Sequence, residues 1–195
     1  METRRIAIIG NGNVGSALGR GFRTTGHDVR TVSDDKRDLE EVATWGEVIL
    51  LAVPFSAIDD VLTNAGEAFE GKIIVDATNA LDPSMNLAMG FTTSGAEELQ
   101  KKLPEARVVK AFNTVFAQHM DFGRLRDNLL TAFVASDDAE AKKTVMELAQ
   151  GIGFDAVDAG SLKNARLLEP LASLNVQLGY VLGMGTKIGF KLLHD

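Results

Sequence analysis

Short apolar runs alternate along the chain with longer segments in which apolar residues recur every three or four positions. The runs are rich in Val, Ile, Leu and Ala and predict buried strands, whereas the longer segments predict amphipathic helices. The predicted strands are RIAIIG, DVRTVS, EVILLAV, KIIVDA, ARVVKAF and LLTAFVAS, with FDAVDA as a weaker seventh candidate. This alternation predicts an α/β fold with a doubly wound, mostly parallel sheet.

A helix is predicted directly after the first strand. Val14, Leu18 and Phe22 share one face of it, and Gly26 is expected to end it. After the sixth predicted strand, Ser136 is expected to cap another helix.

Two segments depart from the alternation. Residues 79–95 form a long loop-like stretch, and such loops in compact domains are usually functional or disordered. Residues 161–183 form a long helical pattern that is apolar on two sides, in which Pro170 predicts a kink or the true start of the helix. One stripe consists of Leu167, Leu171, Leu174, Leu178 and Val181, and the other of Leu168, Ala172 and Leu182. We expect one side to cover the sheet and the other to meet a second copy of the chain.

Composition narrows the class of protein. With 195 residues, 45% of them hydrophobic and 24% charged, the chain is typical of a globular protein with one sizeable core. The net charge of −7 and the lack of a basic tract argue against nucleic acid as a partner. Cysteine is absent, which excludes disulfides, thiolate metal sites and thiol nucleophiles. No run is long enough for a signal peptide or a membrane span, so a cytoplasmic location is expected.

The segment GNGNVG lies between the first strand and the first helix, where a dinucleotide-binding turn is expected. In such a turn Gly10 permits the tight bend, Gly12 lets a diphosphate approach the backbone, and Gly15 lets helix and strand pack closely. The residues predicted to contact the dinucleotide here are Gly10, Asn11, Gly12, Asn13 and Val14. The alternative is a tight turn without a ligand. We favour the first interpretation, a Rossmann-like domain over residues 1–160, followed by a C-terminal helical segment over residues 161–195.

The end of the second strand, TVSDDKRD, bears on the choice of nucleotide. Asp34 stands where an acidic residue would bind the ribose hydroxyls of NAD and repel a 2′-phosphate. Ser33, Lys36 and Arg37 are a hydroxyl and two cations that could instead bind that phosphate. A solvated, charged helix start is the third interpretation. These residues alone slightly favour NAD.

Other candidate contacts follow the next three strands, because ligands of such sheets lie beyond the carboxyl ends of the strands. Pro54 fixes its own backbone and turns the chain away from the sheet. Asn79 and Asn113 carry amides suited to a carboxamide or a planar heterocycle, although each could simply cap a turn. The predicted contacts in these segments are Val53, Pro54, Phe55, Asn79, Ala111, Phe112 and Asn113.

An acid–base pair for alcohol oxidation is not evident in the sequence. His27 follows the end of a helix, His119 is expected on a helix surface, and His194 is in the tail. Lys110 lies at a strand end, where we expect its ammonium group to form an ion pair or to extend to the surface rather than to act in catalysis. Hydride transfer between two cofactors needs only stacked rings at contact distance, so we predict catalysis by positioning, with no catalytic side chain and no metal.

These segments resemble a known family, the coenzyme-F420-dependent NADP oxidoreductases, with the related cytoplasmic oxidoreductase domains of the STEAP type. The matching segments follow in order over nearly the whole chain: GNGNVG, AVPFSAI, IIVDATNAL, RVVKAFNT, DAGSLKNARLLEPLASL and GMGTKIGFKLL. VVKAFNT and the C-terminal motif are much more specific than the glycine turn.

The resemblance implies NADP(H) over the glycine turn, with F420 or a flavin stacked against the nicotinamide. It implies that the segment containing Met184 helps to wall the second site and that the chain forms a homodimer through its C-terminal helices. Where the family tends to have Ser-Arg, this chain has Ser33-Asp34, so NAD and NADP both remain open.

The sequence thus favours an NAD(P)H-dependent oxidoreductase that passes hydride to or from a deazaflavin or flavin. One alternative is a non-catalytic NAD(P)-binding module. The least favoured is a small-substrate reductase of the imine or β-hydroxyacid type, because few residues follow Gly160 for a substrate domain.

Overall fold

The central element of the fold is a parallel sheet of five strands. The computed structural model describes residues 2–33, 36–82, 84 and 86–193, without the side chains of Lys36 and Arg37. The strands are β1 (Arg5–Ile9), β2 (Asp28–Val32), β3 (Val48–Leu51), β4 (Ile73–Asp76) and β5 (Arg107–Lys110). Their order across the sheet is β2-β1-β3-β4-β5. The structure confirms the predicted α/β, Rossmann-like class.

Helices cover both faces of this sheet. They are α1 (Asn13–Thr24), α2 (Lys36–Trp45), α3 (Ile58–Ala65), α4 (Gly95–Lys102), α5 (Ala139–Gly151) and α6 (Ala165–Val176). Because side chains alternate along a strand, Ile6 and Ile8 join one core with α1 and α5, while Ile9 joins the other core with α2, α3 and α4. Strands buried on both faces explain the near-continuous apolar runs.

Short strands extend the fold beyond β5. A hairpin joins β6 (Arg124–Leu125) to β7 (Asn128–Leu129), and β8 (Thr131–Val134) pairs in parallel with β9 (Asp155–Asp158). An antiparallel bridge between Lys110 and Ala135 connects β8 to the main sheet. The predicted strands LLTAFVAS and FDAVDA are confirmed, whereas two-residue strands are too short to produce a sequence pattern.

The prediction that Ser136 caps α5 is wrong, because the hydroxyl of Ser136 is used elsewhere. Ser136 Oγ donates to the carbonyl of Val108 at 2.7 Å. The cap is Asp138, whose Oδ1 accepts from the amide of Ala141 at 2.7 Å. The helix therefore begins two residues later than a local reading suggests.

Pro170 lies inside α6 and does not mark its start. The helix begins at Ala165, after a 3₁₀ turn at Leu162–Asn164, and continues as a π-helical turn at Gln177–Val181. Pro170 removes one internal hydrogen bond, but the burial of Leu168 and Ala172 against the rest of the chain keeps the helix continuous.

The two sides of α6 differ in exposure. Leu168 and Ala172 are buried, whereas Leu167, Leu174 and Val181 are 64%, 50% and 66% exposed. Leu182, which we expected to share a side with Leu168 and Ala172, is 68% exposed and follows the end of the π-helical turn. Within the described residues, no helix combines the length and the apolar character needed to cross a bilayer.

Candidate functional site

A large cleft of about 550 Å³ opens at the carboxyl ends of β1, β3 and β4. It lies where the strand order reverses, since β1 is flanked by β2 on one side and by β3 on the other. Open α/β sheets bind their ligands at this point. The lining residues are Gly12, Asn13, Val14, Ala52, Val53, Pro54, Phe55, Ser56, Ala77, Thr78, Asn79, Leu81 and Asp82.

Two glycines of the turn are required by packing inside the protein. Gly10 has a φ of +112°, and a Cβ there would lie 2.2 Å from the carbonyl oxygen of Ala52. A Cβ on Gly15 would lie 1.9 Å from the carbonyl oxygen of Gly10. These distances explain how the strand, the turn and α1 pack so closely.

Gly12 differs, because nothing in the protein requires a glycine there. Its φ of −68° suits any residue, and a Cβ would meet no atom of the described residues within 4 Å. The missing side chain instead leaves open space at the N-terminus of α1, where no side chain caps the helix and the first turn holds no acidic residue. Free helix amides facing open space fit a diphosphate.

A second cavity lies beside the glycine turn at the end of β2. Its lining consists of Asn11, Thr31, Val32, Ser33, Asp38, Glu41 and Val42. In a dinucleotide-binding domain the adenosine ribose lies at this position. Asp34 lies outside the described residues, as do the side chains of Lys36 and Arg37, so their predicted roles stay predictions.

Two carboxylates that the sequence analysis missed also face this second cavity. Asp38 and Glu41 are three residues apart and therefore share one face of α2. A carboxylate oxygen of Glu41 lies 3.7 Å from a guanidinium nitrogen of Arg30. The available sequence signal for them was a pair of acidic residues three positions apart, shortly after a strand end.

The segment after β3 forms one wall of the large cleft. Pro54, with φ of −56°, ends the extended segment, and a 3₁₀ turn follows at Phe55–Ala57. Val53 and Phe55 contribute apolar surface to the same wall. The structure thus brings Val53, Pro54 and Phe55 together with the glycine turn across one cleft.

Asn79 and Asn113 bind each other and join the ends of β4 and β5. Asn113 Nδ2 donates to Asn79 Oδ1 at 3.0 Å and to the carbonyl of Leu168 at 3.0 Å. Asn79 Nδ2 donates in return to the carbonyl of Asn113 at 3.1 Å. Asn79 lines the large cleft, whereas Asn113 lies behind it, and its buried Oδ1 has no hydrogen-bond partner in the part of the chain that the structure describes. Contact of either amide with a carboxamide stays a prediction.

Ala111 and Phe112 are buried, and neither lines the large cleft. The Phe112 ring packs in the core, with its centroid 6.3 Å from that of Phe22 and 5.8 Å from that of Phe154. Phe112 also has a φ of +66°, a costly conformation for a bulky residue. The predicted contact by this segment could therefore involve only its main chain.

Three buried ionisable side chains lie behind the cleft. Lys110 Nζ is 2.9 Å from Asp76 Oδ2 and 2.9 Å from Glu169 Oε1, and all three side chains are fully buried. Burial alone would lower the pKa of Lys110, but the two carboxylates outweigh it and hold that pKa above its ordinary value. The expectation that Lys110 is paired is confirmed. Glu169 could have been recognised from the sequence, because it is an acidic residue on the same helix face as the apolar Ala165, Leu168 and Ala172.

The C-terminal segment folds back toward the glycine turn. Gln118 and Thr186 are hydrogen-bonded, and His119 Nε2 lies 3.2 Å from the carbonyl oxygen of Thr186. His119 is therefore buried, and its predicted exposure on a helix surface is wrong. Met184 is 59% exposed and outside the large cleft. A third cavity, of about 300 Å³, is lined by Asn13, Ser16, Ala17, Arg20, Phe116, Ala117, Gln118, Tyr180 and Thr186.

Comparison with known proteins agrees with this architecture. The family model described as NADP oxidoreductase, coenzyme F420-dependent, matches residues 5–44 and 35–80. The chain is 32% identical to the metalloreductase STEAP3 of Rattus norvegicus over 87% of its own length and 36% of that protein. It is 32% identical to the F420-dependent NADP reductase of Methanocaldococcus jannaschii over 71% of its own length and 65% of that protein. The chain thus spans about a third of the first relative and just under two thirds of the second.

The crystal structure of a protein from Arthrobacter sp. FB24, named there a putative F420-dependent NADP-reductase, is similar over nearly the whole chain. The TM-score is 0.90 at 30% identity, and the match covers 98% of this chain and 100% of that one. Its coverage includes the C-terminal helical segment that the family model does not reach. The chain therefore belongs to the coenzyme F420-dependent NADP oxidoreductases, a family of NAD(P)-dependent oxidoreductases.

Proposed function

We propose that this chain binds NAD(P)H in the large cleft and transfers hydride between the nicotinamide and a deazaflavin, F420, or a flavin. The observation that carries the proposal is the open space at Gly12, which joins uncapped helix amides to an apolar cleft. When bound, the nicotinamide ring supplies or accepts the hydride. The residues of the chain bind, orient and shield that ring.

The chemistry of the lining supports catalysis by positioning. Asp82 is the one ionisable side chain that the described residues contribute to the large cleft. Its Oδ1 accepts from the amides of Ser84 and Asn86 at 2.8 Å and 2.9 Å, so that oxygen is engaged in a turn. With Asp82 as the one ionisable group among the described lining residues, and one of its oxygens held in a turn, the site suits hydride transfer between two rings better than oxidation of an alcohol.

Stopped-flow absorbance tests the proposal directly. NADH and NADPH are each mixed with the protein and with oxidised F420 or FMN, and the decay of the reduced nicotinamide is followed. We expect rapid decay in at least one combination. Nucleotide binding without turnover in any combination would instead favour a non-catalytic NAD(P)-binding module, and absence of binding would contradict both functions.

The family favours NADP(H), whereas the acidic residues near the ribose site favour NAD(H). We propose that the second cavity selects the nucleotide, since Asp38 and Glu41 line it and would repel a 2′-phosphate. Calorimetric titration with NADH and NADPH measures the preference. A lower Kd for NADPH than for NADH would show that attraction of the 2′-phosphate to cations near the end of β2 exceeds its repulsion by these carboxylates.

We also propose a homodimer formed through α6. An apolar stripe runs along α6 and the following π-helical turn in steps of four and three residues; Leu167, Leu174 and Val181 of this stripe are exposed, and Leu171 and Leu178 are partly buried. This spacing produces a continuous apolar seam of the kind that pairs helices. Leu167 and Leu174 are at least half exposed, so a second copy of the chain would remove substantial apolar surface from water.

A further inference from the structure

Lys110 connects the wall of the large cleft to the C-terminal helix. Its ammonium donates to the carbonyl of Thr78 at 2.7 Å and to Asp76 Oδ2 at 2.9 Å, and it pairs with Glu169 Oε1 at 2.9 Å. These three interactions use the three donors of the ammonium group. Thr78 lines the cleft, and Glu169 belongs to α6. One buried cation therefore connects both elements.

Each carboxylate makes further contacts that fix the same wall. Asp76 Oδ1 accepts from the amide of Thr78 at 2.9 Å and from its hydroxyl at 2.7 Å. Glu169 Oε2 accepts from the amide of Gly95 at 3.0 Å, and its Oε1 accepts from the amide of Ala96 at 3.3 Å. Thr78 is thus held by its carbonyl, amide and hydroxyl groups, while α4 is held at its N-terminus.

Stability alone gives a weak reason for this arrangement. Taking three charged groups out of water is costly, and well-packed apolar residues of similar volume often stabilise a core equally well. The three charged groups differ from apolar residues in their directional bonds, which fix the Thr78 main chain at a cleft wall. Small displacements of such a wall change how a bound ring is oriented.

We propose that Lys110 is a positioning residue, which with Asp76 and Glu169 fixes the Thr78–Asn79 wall for the nicotinamide half of the dinucleotide. This inference rests on the proposed nucleotide binding in the large cleft. Lys110 acts through Thr78 and does not contact the ligand itself, since the ammonium is fully buried.

Another ion pair, which joins α4 to α6, provides a matched control. Arg166 Nε and Nη2 donate to the two carboxylate oxygens of Glu97 at 2.8 Å and 2.7 Å. Neither residue lines the large cleft. Lys110→Met with Glu169→Gln, and Arg166→Met with Glu97→Gln, each remove one cation and one anion and leave the net charge unchanged.

The experiment compares the full-length protein with both double variants. Calorimetry gives the Kd for NADH and NADPH, thermal unfolding gives Tm, and hydrogen exchange reports on residues 77–80. We expect both variants to lower Tm. The Lys110/Glu169 variant should raise the nucleotide Kd by about tenfold to a hundredfold and speed exchange at residues 77–80. The Arg166/Glu97 variant should leave the Kd and that exchange unchanged.

Other results separate this inference from the proposed function. If the unmodified protein binds neither nucleotide, the proposed function fails. If it binds and both variants retain its Kd, or both raise the Kd in proportion to their loss of Tm, the triad is only structural and the inference is overturned. Should the Lys110/Glu169 variant not fold, the single variant Glu169→Gln keeps the Lys110–Thr78 bond and is expected to raise the Kd by a smaller factor than the double variant would; an unchanged Kd there overturns the inference.

Discussion

The three glycines of the first turn occupy one short motif for different physical reasons. A Cβ on Gly10 would lie 2.2 Å from Ala52 O, and a Cβ on Gly15 would lie 1.9 Å from Gly10 O, so packing inside the protein requires both glycines. Gly12 has no such contact and faces the cleft. A sequence motif cannot show this difference, because it depends on the folded positions of Gly10 and of Ala52, the residue after β3. We therefore expect substitutions of Gly10 and Gly15 to lower stability, and a substitution of Gly12 to weaken ligand binding.

Gly12→Ala should weaken nucleotide binding while leaving the fold intact. The new Cβ meets no protein atom, and the change at the helix N-cap costs less than about 1 kcal/mol of unfolding free energy. The methyl group would occupy the space through which a diphosphate approaches the amides, so the Kd should rise by at least about tenfold. Calorimetry and urea unfolding measure the two quantities.

Gly15→Ala serves as the contrasting variant for this test. Its Cβ would overlap with Gly10 O, so it should lose unfolding free energy whether or not nucleotide is present. An unchanged Kd for Gly12→Ala would show that the diphosphate does not lie over Gly12.

Asp34→Arg should shift the preference from NADH toward NADPH. The substitution removes a carboxylate that favours free ribose hydroxyls and adds a guanidinium that binds a 2′-phosphate in two-point geometry. Charged hydrogen bonds of this kind contribute about 1.5–3 kcal/mol, which predicts a change of roughly tenfold or more in the ratio of the two Kd values. Asp38→Asn is the comparison, since Asp38 lines the second cavity. An unchanged ratio for Asp34→Arg would place residue 34 away from the ribose.

The sequence could predict the site residues that follow strands, but not those that meet across the fold. Pro54 and Asn79 line the cleft, as expected from the shared edge at which parallel strands end, and their contact with a nucleotide stays a prediction. Phe112 was expected at the ligand, yet its ring is buried in the core and its strained main chain alone lies at the strand end. Glu169 was missed because only tertiary packing brings α6 to Lys110.

At the scale of elements, local patterns predicted the strands and α1 well, since burial on both faces leaves a strong apolar signal. The boundaries of α5 and α6 depended on tertiary contacts. Ser136 is diverted to the carbonyl of Val108, and Pro170 is tolerated inside a packed helix. Capping rules apply to a hydroxyl that has no other hydrogen-bond partner, and here the neighbouring strand β5 provides such a partner.

The ion pair between α4 and α6 should make stability depend on pH on the acid side. The hydrogen bond from Arg166 holds the pKa of Glu97 below its ordinary value of 4.5. A lowered folded-state pKa adds stability above the unfolded pKa, and that stability is lost as pH falls through the lower value. Glu97→Gln should therefore reduce the unfolding free energy at pH 7 and flatten its decline below about pH 4.5.

Urea unfolding between pH 3 and pH 7 measures this effect. Arg166→Met should give the same flattening, because it removes the partner that lowers the pKa of Glu97. An acid decline that remains as steep in both variants would assign the dependence to other carboxylates.

At the scale of the whole molecule, α6 connects the cleft to the exposed apolar seam. One face carries Glu169, and the opposite face carries Leu167 and Leu174. The sequence predicted these two sides from periodicity alone, because a helix must cover each apolar face. It could not show that the covered side also carries a buried carboxylate bonded to the cleft wall.

Leu167→Glu with Leu174→Glu should convert a dimer into a monomer. Each substitution places a carboxylate in the apolar seam, and two facing seams would bring four such charges together without partners. The fold should persist, since both side chains are at least half exposed in the single chain. Sedimentation equilibrium gives the mass, and circular dichroism checks the helix content. Phe122→Glu is the matched control, because Phe122 is 49% exposed but lies outside α6 and should leave the dimer intact. A monomeric unmodified protein, or a dimer that survives both leucine substitutions, would locate any self-association elsewhere on the molecule.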